Sequence, residues 1–211
     1  MKFQLSDIGK RYRYEWIFRK INLTLQSGES YAVLGPNGCG KSTFLRILCT
    51  HLSPSEGKID FFDSKKNNQK PIESDNIYQY LSFAAPYVEL IEELTLGEAI
   101  AFHAKFRTFQ HQLSAAALVQ RLGLEKSQNK PIRLFSSGMK QRLKLALACC
   151  SDTPLLFLDE PTTNLDQQGV EWYQQLIEDF MPPQRLVVIA SNTEIDYHFC
   201  TQKIDLQHYK R

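Results

Sequence analysis

The sequence predicts an α/β fold with a mostly parallel sheet, and three observations carry this prediction. Hydrophobic residues make up 43% of the 211 residues and charged residues 23%, which is the balance of an average globular domain. A short apolar run at 30–34 ends at a glycine-rich turn, and an amphipathic stretch follows it. Two further apolar runs, at 155–158 and 186–190, alternate with helical patterns. Because crossover helices join parallel strands, this alternation predicts a helix-covered parallel sheet.

The first part of the chain contains short elements separated by polar turns. The turn SPSEG at 53–57 separates the first helix from the next strand, and the polar segment at 63–70 is expected to be a solvated loop. In chain order, the pattern predicts a strand at 30–34, a helix at 44–51, a strand at 58–62 and a strand at 80–84.

Capping signals mark the helices of the second part. Thr95 and Glu98 have the spacing of a capping box and predict a helix that runs to about Arg107. Ser136 is placed to cap a long helix that ends at Cys150. The remaining predicted elements are a helix at 112–122, a strand at 155–158, a helix at 167–180 that Pro182 and Pro183 end, and a strand at 186–190.

Charge and cysteine content exclude several classes of protein. The 25 Lys and Arg residues against 23 Asp and Glu leave a net charge of +2, so no nucleic-acid partner is expected. The longest apolar runs, at 145–150 and 155–158, are far shorter than the roughly 20 residues that cross a bilayer. Five cysteines show neither metal-ligand spacing nor a disulfide framework, which favours a reducing cytosol. They are Cys39, Cys49, Cys149, Cys150 and Cys200.

The glycine-rich turn has the pattern of a phosphate-binding loop, with glycine, four residues, and then glycine, lysine and serine. Small residues let backbone N–H groups converge on phosphate oxygens, and the following helix directs its positive end at them. Lys41 is predicted to supply charge to the β- and γ-phosphates, and Ser42 to coordinate Mg²⁺. The alternative is a glycine-rich turn that merely precedes a helix. The predicted nucleotide-binding residues of this loop are Gly35, Pro36, Asn37, Gly38, Cys39, Gly40, Lys41, Ser42 and Thr43.

Two acidic residues end the predicted strand at 155–158 and complete the expected phosphate site. Asp159 is predicted to hold Mg²⁺, directly or through water. Glu160 is predicted to orient the water that attacks the γ-phosphate, or to act as its general base. The alternative is an acidic turn that caps the next helix.

With these residues in place, the sequence resembles the ATP-binding cassette (ABC) family over nearly its whole length. The segment FSSGMKQR at 135–142 is similar to the signature motif of that family. The resemblance implies that Ser136, Ser137 and Gly138 contact the γ-phosphate of ATP bound to the partner subunit. Taken alone, the segment is also compatible with an ordinary capped helix. The segment TNLD at 163–166 stands at the place of the family's D-loop, although Asp166 is equally suited to capping the next helix.

The resemblance also implies a fold and an adenine contact. The expected fold is a P-loop NTPase core with an N-terminal antiparallel β-subdomain and an inserted α-helical subdomain at about 87–150. The chain at 1–211 would then form a single ABC ATP-binding domain. Tyr12 stands where the family places an aromatic residue on adenine, and Tyr14 and Trp16 are close enough in sequence to compete for that role. An aromatic residue there could equally pack within the β-subdomain.

Two positions depart from the family pattern. The family's glutamine before the helical subdomain is replaced here by Ala85 or Pro86, and neither offers a side-chain ligand. The family's histidine after the last core strand is replaced by Asn192, which can donate a hydrogen bond to phosphate but cannot carry a positive charge. These departures predict an ATPase that binds Mg-ATP but has a low intrinsic rate.

The resemblance implies the ATP-binding and ATP-hydrolysing subunit of an ABC transporter. It would dimerise around Mg-ATP, with itself or a second cassette, and power a separate integral membrane permease that docks near residues 85–93. It would therefore be cytoplasmic and peripheral at the inner face of the membrane. Its short length is similar to the compact subunits of the cytochrome c maturation (haem exporter) branch and of type-2 ABC exporters. The alternatives are a slow or non-hydrolysing nucleotide switch, a degenerate half of a heterodimer, and a soluble ABC ATPase unconnected to transport.

Overall fold

The computed structural model describes residues 1–63 and 71–210, so most of the polar segment predicted as a loop lies outside the described residues. The strands are β1 (Lys2–Tyr12), β2 (Glu15–Gln26), β3 (Ser30–Leu34), β4 (Glu56–Phe62), β5 (Leu81–Ala84), β6 (Leu155–Asp159), β7 (Leu186–Ala190) and β8 (Gln202–Asp205). The helices are α1 (Lys41–Leu48), α2 (Leu96–Ala104), α3 (Ala115–Leu122), α4 (Ser137–Cys150), α5 (Gln167–Phe180) and α6 (Glu194–Tyr197). Short 3-10 helices lie at Ser74–Tyr80, Gln110–Gln112, Glu125–Ser127, Ile132–Leu134 and Leu206–Tyr209.

The chain divides into two compact units. The first contains Met1–Phe83, Thr153–Glu160 and the chain from Pro183 onward, and the second contains Ala84–Asp152 and Pro161–Pro182. Within the described residues, no helix is both long and apolar enough to cross a membrane.

The main sheet has five strands in the order β5-β6-β7-β3-β8, and its pairs β6–β7, β7–β3 and β3–β8 are parallel. In this register Val33 and Asp159 both lie opposite Ala190. The carboxyl ends of β3, β6 and β7 therefore meet at one edge of the sheet, which is where parallel α/β sheets bind ligands. The predicted α/β fold with a mostly parallel sheet is confirmed.

A second, antiparallel sheet of the first unit has the strand order β2-β1-β4. Strands β1 and β2 escape detection by simple alternation because the pairing shifts register at several points. Asp7 and Lys20 have positive φ angles of 52° and 56° at these irregular positions. Such bulges break the period of two on which strand recognition depends.

Aromatic side chains fill the core of the first unit. Phe3 of β1 packs edge-on against Phe61 of β4 at a ring-centroid distance of 4.7 Å, and lies 6.1 Å from Phe157 of β6. Phe18 of β2 meets Phe44 of α1 at 5.7 Å. All five rings are buried, so they hold both sheets and the helix that follows the glycine-rich loop together.

In the second unit, the predicted caps are present. Thr95 and Glu98 form the capping box of α2, and Ser136 accepts a hydrogen bond from Met139 N at the start of α4. Helix α2 ends at Ala104 rather than near residue 107, and α3 begins at Ala115 rather than 112. The later start of α3 has a visible cause, since the buried Gln110 side chain donates to three backbone carbonyls and holds the preceding turn outside the helix.

Candidate functional site

The carboxyl edge of the main sheet collects the loops that sequence analysis singled out. Strand β3 leads into the glycine-rich loop and α1. Strand β6 ends at Asp159 and is followed by Glu160, and β7 leads to Ser191 and Asn192. Two backbone hydrogen bonds tie these ends together. Glu160 N donates to Ala190 O at 2.8 Å, and Ser191 N donates to Val33 O at 3.3 Å.

Two glycines of the glycine-rich loop combine a positive φ with a close neighbour that leaves no room for a Cβ. Gly40 has a φ of 106°, and a Cβ there would lie 2.4 Å from Ile17 Cγ2. Gly35 has a φ of 136°, and its Cβ would lie 2.6 Å from the sulfur of the buried Cys39. Gly40 is also the N-cap of α1, so no side chain caps the first turn of this helix. The sulfur of the buried Cys39 occupies the space beside Gly35 that a side chain there would need.

Lys41 is the first residue of α1, its side chain reaches back into this loop, and it is only 6% exposed. Its Nζ donates to Gly35 O at 2.9 Å and lies 3.7 Å from Glu160 Oε1. The glycine-rich loop that precedes Lys41 therefore also holds its ammonium group. A phosphate bound by the loop would meet the ammonium group there.

Asp159 is 1% exposed and ends β6 beside this loop, whereas Ser42 in the first turn of α1 is half-buried. Their carboxylate and hydroxyl oxygens are hard donors, which suit Mg²⁺. Among residues 1–63 and 71–210, no group of three or more His, Cys, Asp or Glu residues could hold a metal. The two oxygen donors of Ser42 and Asp159 fit Mg²⁺, which keeps several waters and binds through substrate phosphates.

Glu160 has a positive φ of 44°, an uncommon conformation for a residue with a side chain. Burial raises the pKa of its carboxyl group, while the ammonium group of Lys41 and the hydrogen bond from Ser191 lower it. The carboxylate lies between these two partners, with Oε1 facing Lys41 and Oε2 lying 3.3 Å from Ser191 Oγ.

Sequence reasoning missed two buried residues behind Glu160. Ser191 is fully buried, Asp196 is 1% exposed, and Ser191 Oγ lies 2.5 Å from Asp196 Oδ2. The spacing of five residues across a loop and a short helix matches no standard motif, so only the fold brings these groups together. Asn192 is exposed instead, and its Nδ2 donates to Asn37 Oδ1 of the glycine-rich loop at 2.9 Å.

In the second unit, the signature-like segment forms the first turn of α4. Ser136 and Ser137 are exposed, and a Cβ on Gly138 would lie 3.0 Å from Asn164 O. Two residues of α4 hold the neighbouring D-loop segment, since Gln141 Nε2 donates to Pro161 O at 2.8 Å and Arg142 pairs with Asp166. Asp166 caps α5 by accepting from Gly169 N, which is the alternative that the sequence left open beside a D-loop role.

The second unit also contains the loop that lacks the family's glutamine. Lys144 Nζ donates to Ala85 O at 3.1 Å and to Pro86 O at 2.9 Å. Burial lowers the pKa of this lysine, and Lys140 lowers it further. A lysine of α4 thus holds the backbone of a loop that has no polar side chain of its own at this point.

The three aromatic candidates for adenine lie around the turn between β1 and β2. Tyr14 is 96% exposed, and Tyr12 is 48% exposed with Lys10 Nζ 5.4 Å from its ring centroid. The ring of Trp16 is already in contact with two guanidinium groups, those of Arg19 at 4.0 Å and Arg11 at 5.5 Å.

A glycine-rich loop that ends a central strand, encloses a lysine and lies beside an acidic strand end defines a P-loop nucleotide-binding protein. A model of the ABC transporter family matches residues 18–163. The chain therefore belongs to the ABC transporter family, and it is an ATP-binding member, which confirms the family resemblance stated above.

The chain is similar to curated members of this family. It is 29% identical over 189 residues to an uncharacterized ABC transporter ATP-binding protein, YcbN of Bacillus subtilis, covering 90% of this chain and 60% of YcbN. It is 28% identical over 194 residues to the lantibiotic transport ATP-binding protein SrtF of Streptococcus pyogenes, covering 90% of this chain and 79% of SrtF. Thus the chain spans less than two thirds of YcbN and about four fifths of SrtF.

A solved structure supports the fold. The chain matches a dimeric ATP-binding cassette in a post-hydrolysis state bound to ADP and Pi with a TM-score of 0.79 and 24% identity, covering 96% of this chain and 93% of that one. This likeness confirms the fold class of a P-loop NTPase core with an antiparallel N-terminal sheet.

Proposed function

We propose that this protein hydrolyses ATP to power a separate membrane permease, as the nucleotide-binding subunit of an ABC transporter. One observation carries the proposal. Lys41, Asp159 and Glu160 lie together at the carboxyl edge of the main sheet, where Lys41 Nζ and Glu160 Oε1 are 3.7 Å apart. In this proposal, residues 1–211 act as one ABC ATP-binding domain with a helical subdomain at about 87–150.

The glycine-rich loop binds the phosphates of ATP through its backbone N–H groups and through Lys41, which exchanges its bond to Gly35 O for phosphate oxygens. Ser42 and Asp159 would hold Mg²⁺, which would neutralise charge on the phosphates. Glu160 orients the attacking water and accepts a proton from it. Its raised pKa supports this role, because a carboxyl group that is harder to ionise is a stronger base.

Tyr12 is the best placed of the three aromatic residues to stack on adenine. The guanidinium groups of Arg11 and Arg19 already lie on the ring of Trp16. Tyr14, at 96% exposed, has no packing that would fix its ring. Tyr12 keeps half of its surface open and has the cation Lys10 beside it.

The signature-like segment would serve the ATP bound to a second cassette, either another copy of this chain or a related one. Ser136 and Ser137 are exposed at the start of a long helix, as residues that meet a partner must be. The similarity to a dimeric ATP-binding cassette supports this arrangement. ATP held between two subunits would stabilise the closed dimer, and hydrolysis would remove this contact. The closed dimer would bind ATP more tightly than ADP, and this difference in affinity would drive the movement of the permease.

A slow nucleotide switch is the second candidate, and the contact of Asn192 favours it. Asn192 donates to Asn37 and carries no charge, so it would stabilise the charge on a developing phosphoryl group less than a histidine would. The loss of one such contact costs a rate factor of about 100. We therefore expect slow intrinsic turnover, whether in a homodimer or as the weaker half of a heterodimer.

The transport role rests on relatives. SrtF is named for lantibiotic transport, and this supports a role in moving a substrate across a membrane. The likeness to the haem exporter branch stays a prediction. In the proposed assembly, the protein is cytoplasmic and lies against the inner membrane face through its permease, near residues 85–93.

The decisive experiment compares phosphate release and ATP binding for the purified wild type, Glu160→Gln and Asn192→His. We expect measurable turnover in the wild type, a loss of about 100-fold or more in Glu160→Gln with binding retained, and a gain in Asn192→His. Glu171→Gln, on the exposed face of α5, is the matched control and should leave turnover unchanged.

Size-exclusion chromatography of Glu160→Gln with Mg-ATP tests the dimer. We expect a shift from monomer to dimer that depends on ATP. A protein that stays monomeric would contradict homodimerisation, and binding without any wild-type turnover would favour the switch over the ATPase.

A further inference from the structure

We propose that Ser191 is a positioning residue for Glu160 and that Asp196 competes with Glu160 for the Ser191 hydroxyl proton. The inference rests on the proposed function, in which Glu160 orients the attacking water. It names a regulator of that same site, formed by two residues that would not contact the nucleotide.

Burial and a backbone hydrogen bond fix the position of the Ser191 hydroxyl group. It is fully buried, and Thr193 N donates to its Oγ at 3.0 Å. Two carboxylate oxygens face the same Oγ, Asp196 Oδ2 at 2.5 Å and Glu160 Oε2 at 3.3 Å. A hydroxyl group has a single proton, so it can donate to only one of these carboxylates at a time.

The distances show which carboxylate prevails in this state. At 2.5 Å the bond to Asp196 is a short charge-assisted hydrogen bond, whereas 3.3 Å is near the limit for an O–H donor. Asp196 thus draws the proton away from Glu160. When the proton turns to Glu160, Oε2 is held by Ser191 while Oε1 faces Lys41, and the carboxylate is fixed at both oxygens.

This arrangement predicts opposite effects on kcat for substitutions of two hydrogen-bonded residues, Ser191 and Asp196. Ser191→Ala removes the donor, so Glu160 loses its orientation and kcat should fall about fivefold to tenfold. Asp196→Asn replaces the competing acceptor with a group that has N–H donors. Its amide can donate to Ser191 Oγ, which leaves the hydroxyl proton to Glu160, so kcat should be retained or raised.

The kinetic signature separates positioning from damage to the fold. KM for ATP should stay within about twofold in both variants, because neither residue is assigned to nucleotide binding. Ser191→Thr keeps the hydroxyl group and should restore most of the lost kcat. Ser82→Ala is the matched control, since Ser82 is also buried in the first unit and is hydrogen-bonded to Thr153 at 2.8 Å. It should lower the melting temperature without changing kcat.

The experiment measures kcat, KM for ATP and melting temperature for Ser191→Ala, Ser191→Thr, Asp196→Asn, Ser82→Ala and Glu160→Gln. Equal losses of kcat in Ser191→Ala and Asp196→Asn, or an unchanged kcat in Ser191→Ala, would overturn the inference. If turnover survives in Glu160→Gln, the proposed role of Glu160 itself fails. A loss in Glu160→Gln with no loss in Ser191→Ala contradicts only the positioning role.

Discussion

Helices α1 and α4 both begin at a motif assigned to nucleotide phosphates, but their first turns are built differently. α1 follows Gly40, which has a positive φ and no side chain to cap the helix. α4 follows Ser136, whose Oγ accepts from Met139 N at 3.2 Å. The first N–H groups of a helix lack partners within it, so they need a cap or a ligand.

This difference indicates how the two motifs are used. In the proposed function, the first turn of α1 leaves its N–H groups to a phosphate and adds a buried cation, Lys41. The first turn of α4 supplies its own cap and has no need of a ligand to be stable. We infer that the first unit suffices to bind a nucleotide and that the α4 motif contributes only once a second cassette brings ATP to it.

The largest expected effect tests the cation of α1. Lys41→Ala should weaken ATP binding about 100-fold, or about 3 kcal/mol, because a buried charge-assisted contact to phosphate is lost. Isothermal titration calorimetry measures this affinity. Lys58→Ala is the control, because Lys58 is 70% exposed and pairs with Asp60 on the surface. A loss of similar size in both variants would contradict a specific role for Lys41.

The second prediction compares the glycines of the two motifs. Gly40→Ala should destabilise the protein by about 2 kcal/mol or more and weaken ATP binding. Alanine would be strained at the positive φ of this position, and its Cβ would clash with Ile17. Gly138→Ala should change stability by less than about 1 kcal/mol, since its Cβ needs only a small shift from Asn164 O and alanine favours the helix. Urea unfolding followed by circular dichroism measures both. Equal destabilisation would break the comparison.

The smallest expected effect tests the cap of α4. Ser136→Ala should lower stability by about 1 kcal/mol, whereas Ser136→Asp should keep the cap. The affinity of the isolated chain for ATP should not change in either variant, as measured by calorimetry at concentrations where the chain is monomeric. Weaker ATP binding by monomeric Ser136→Ala would show that α4 serves the nucleotide of its own chain.

Sequence predicted best where local signals and fold agree. Strands β3, β6 and β7 are short apolar runs between clear turns, and the capping box of α2 is visible in two residues, Thr95 and Glu98. Helix α1 begins at Lys41, three residues before the predicted start, because its polar first turn has no amphipathic pattern.

What sequence missed depends on contacts between distant segments. Strands β1 and β2 pair through bulges, so no regular alternation marks them. Asn192 was identified as a departure from a motif, but its bond to Asn37 joins loops 155 residues apart in the chain. Ser191 and Asp196 gain their significance only from burial beside Glu160, which no local pattern encodes.

The backbone of Glu160 has one further consequence. Its left-handed conformation costs roughly 1–2 kcal/mol for an L-residue with a side chain, and the bond from its amide to Ala190 O helps to hold it there. Selection for thermal robustness alone would favour glycine at this position, and selection for turnover would favour the carboxylate. In the proposed function, Glu160 is therefore a point where fitness for catalysis and fitness for folding oppose each other, and selection for stability alone would lower activity here.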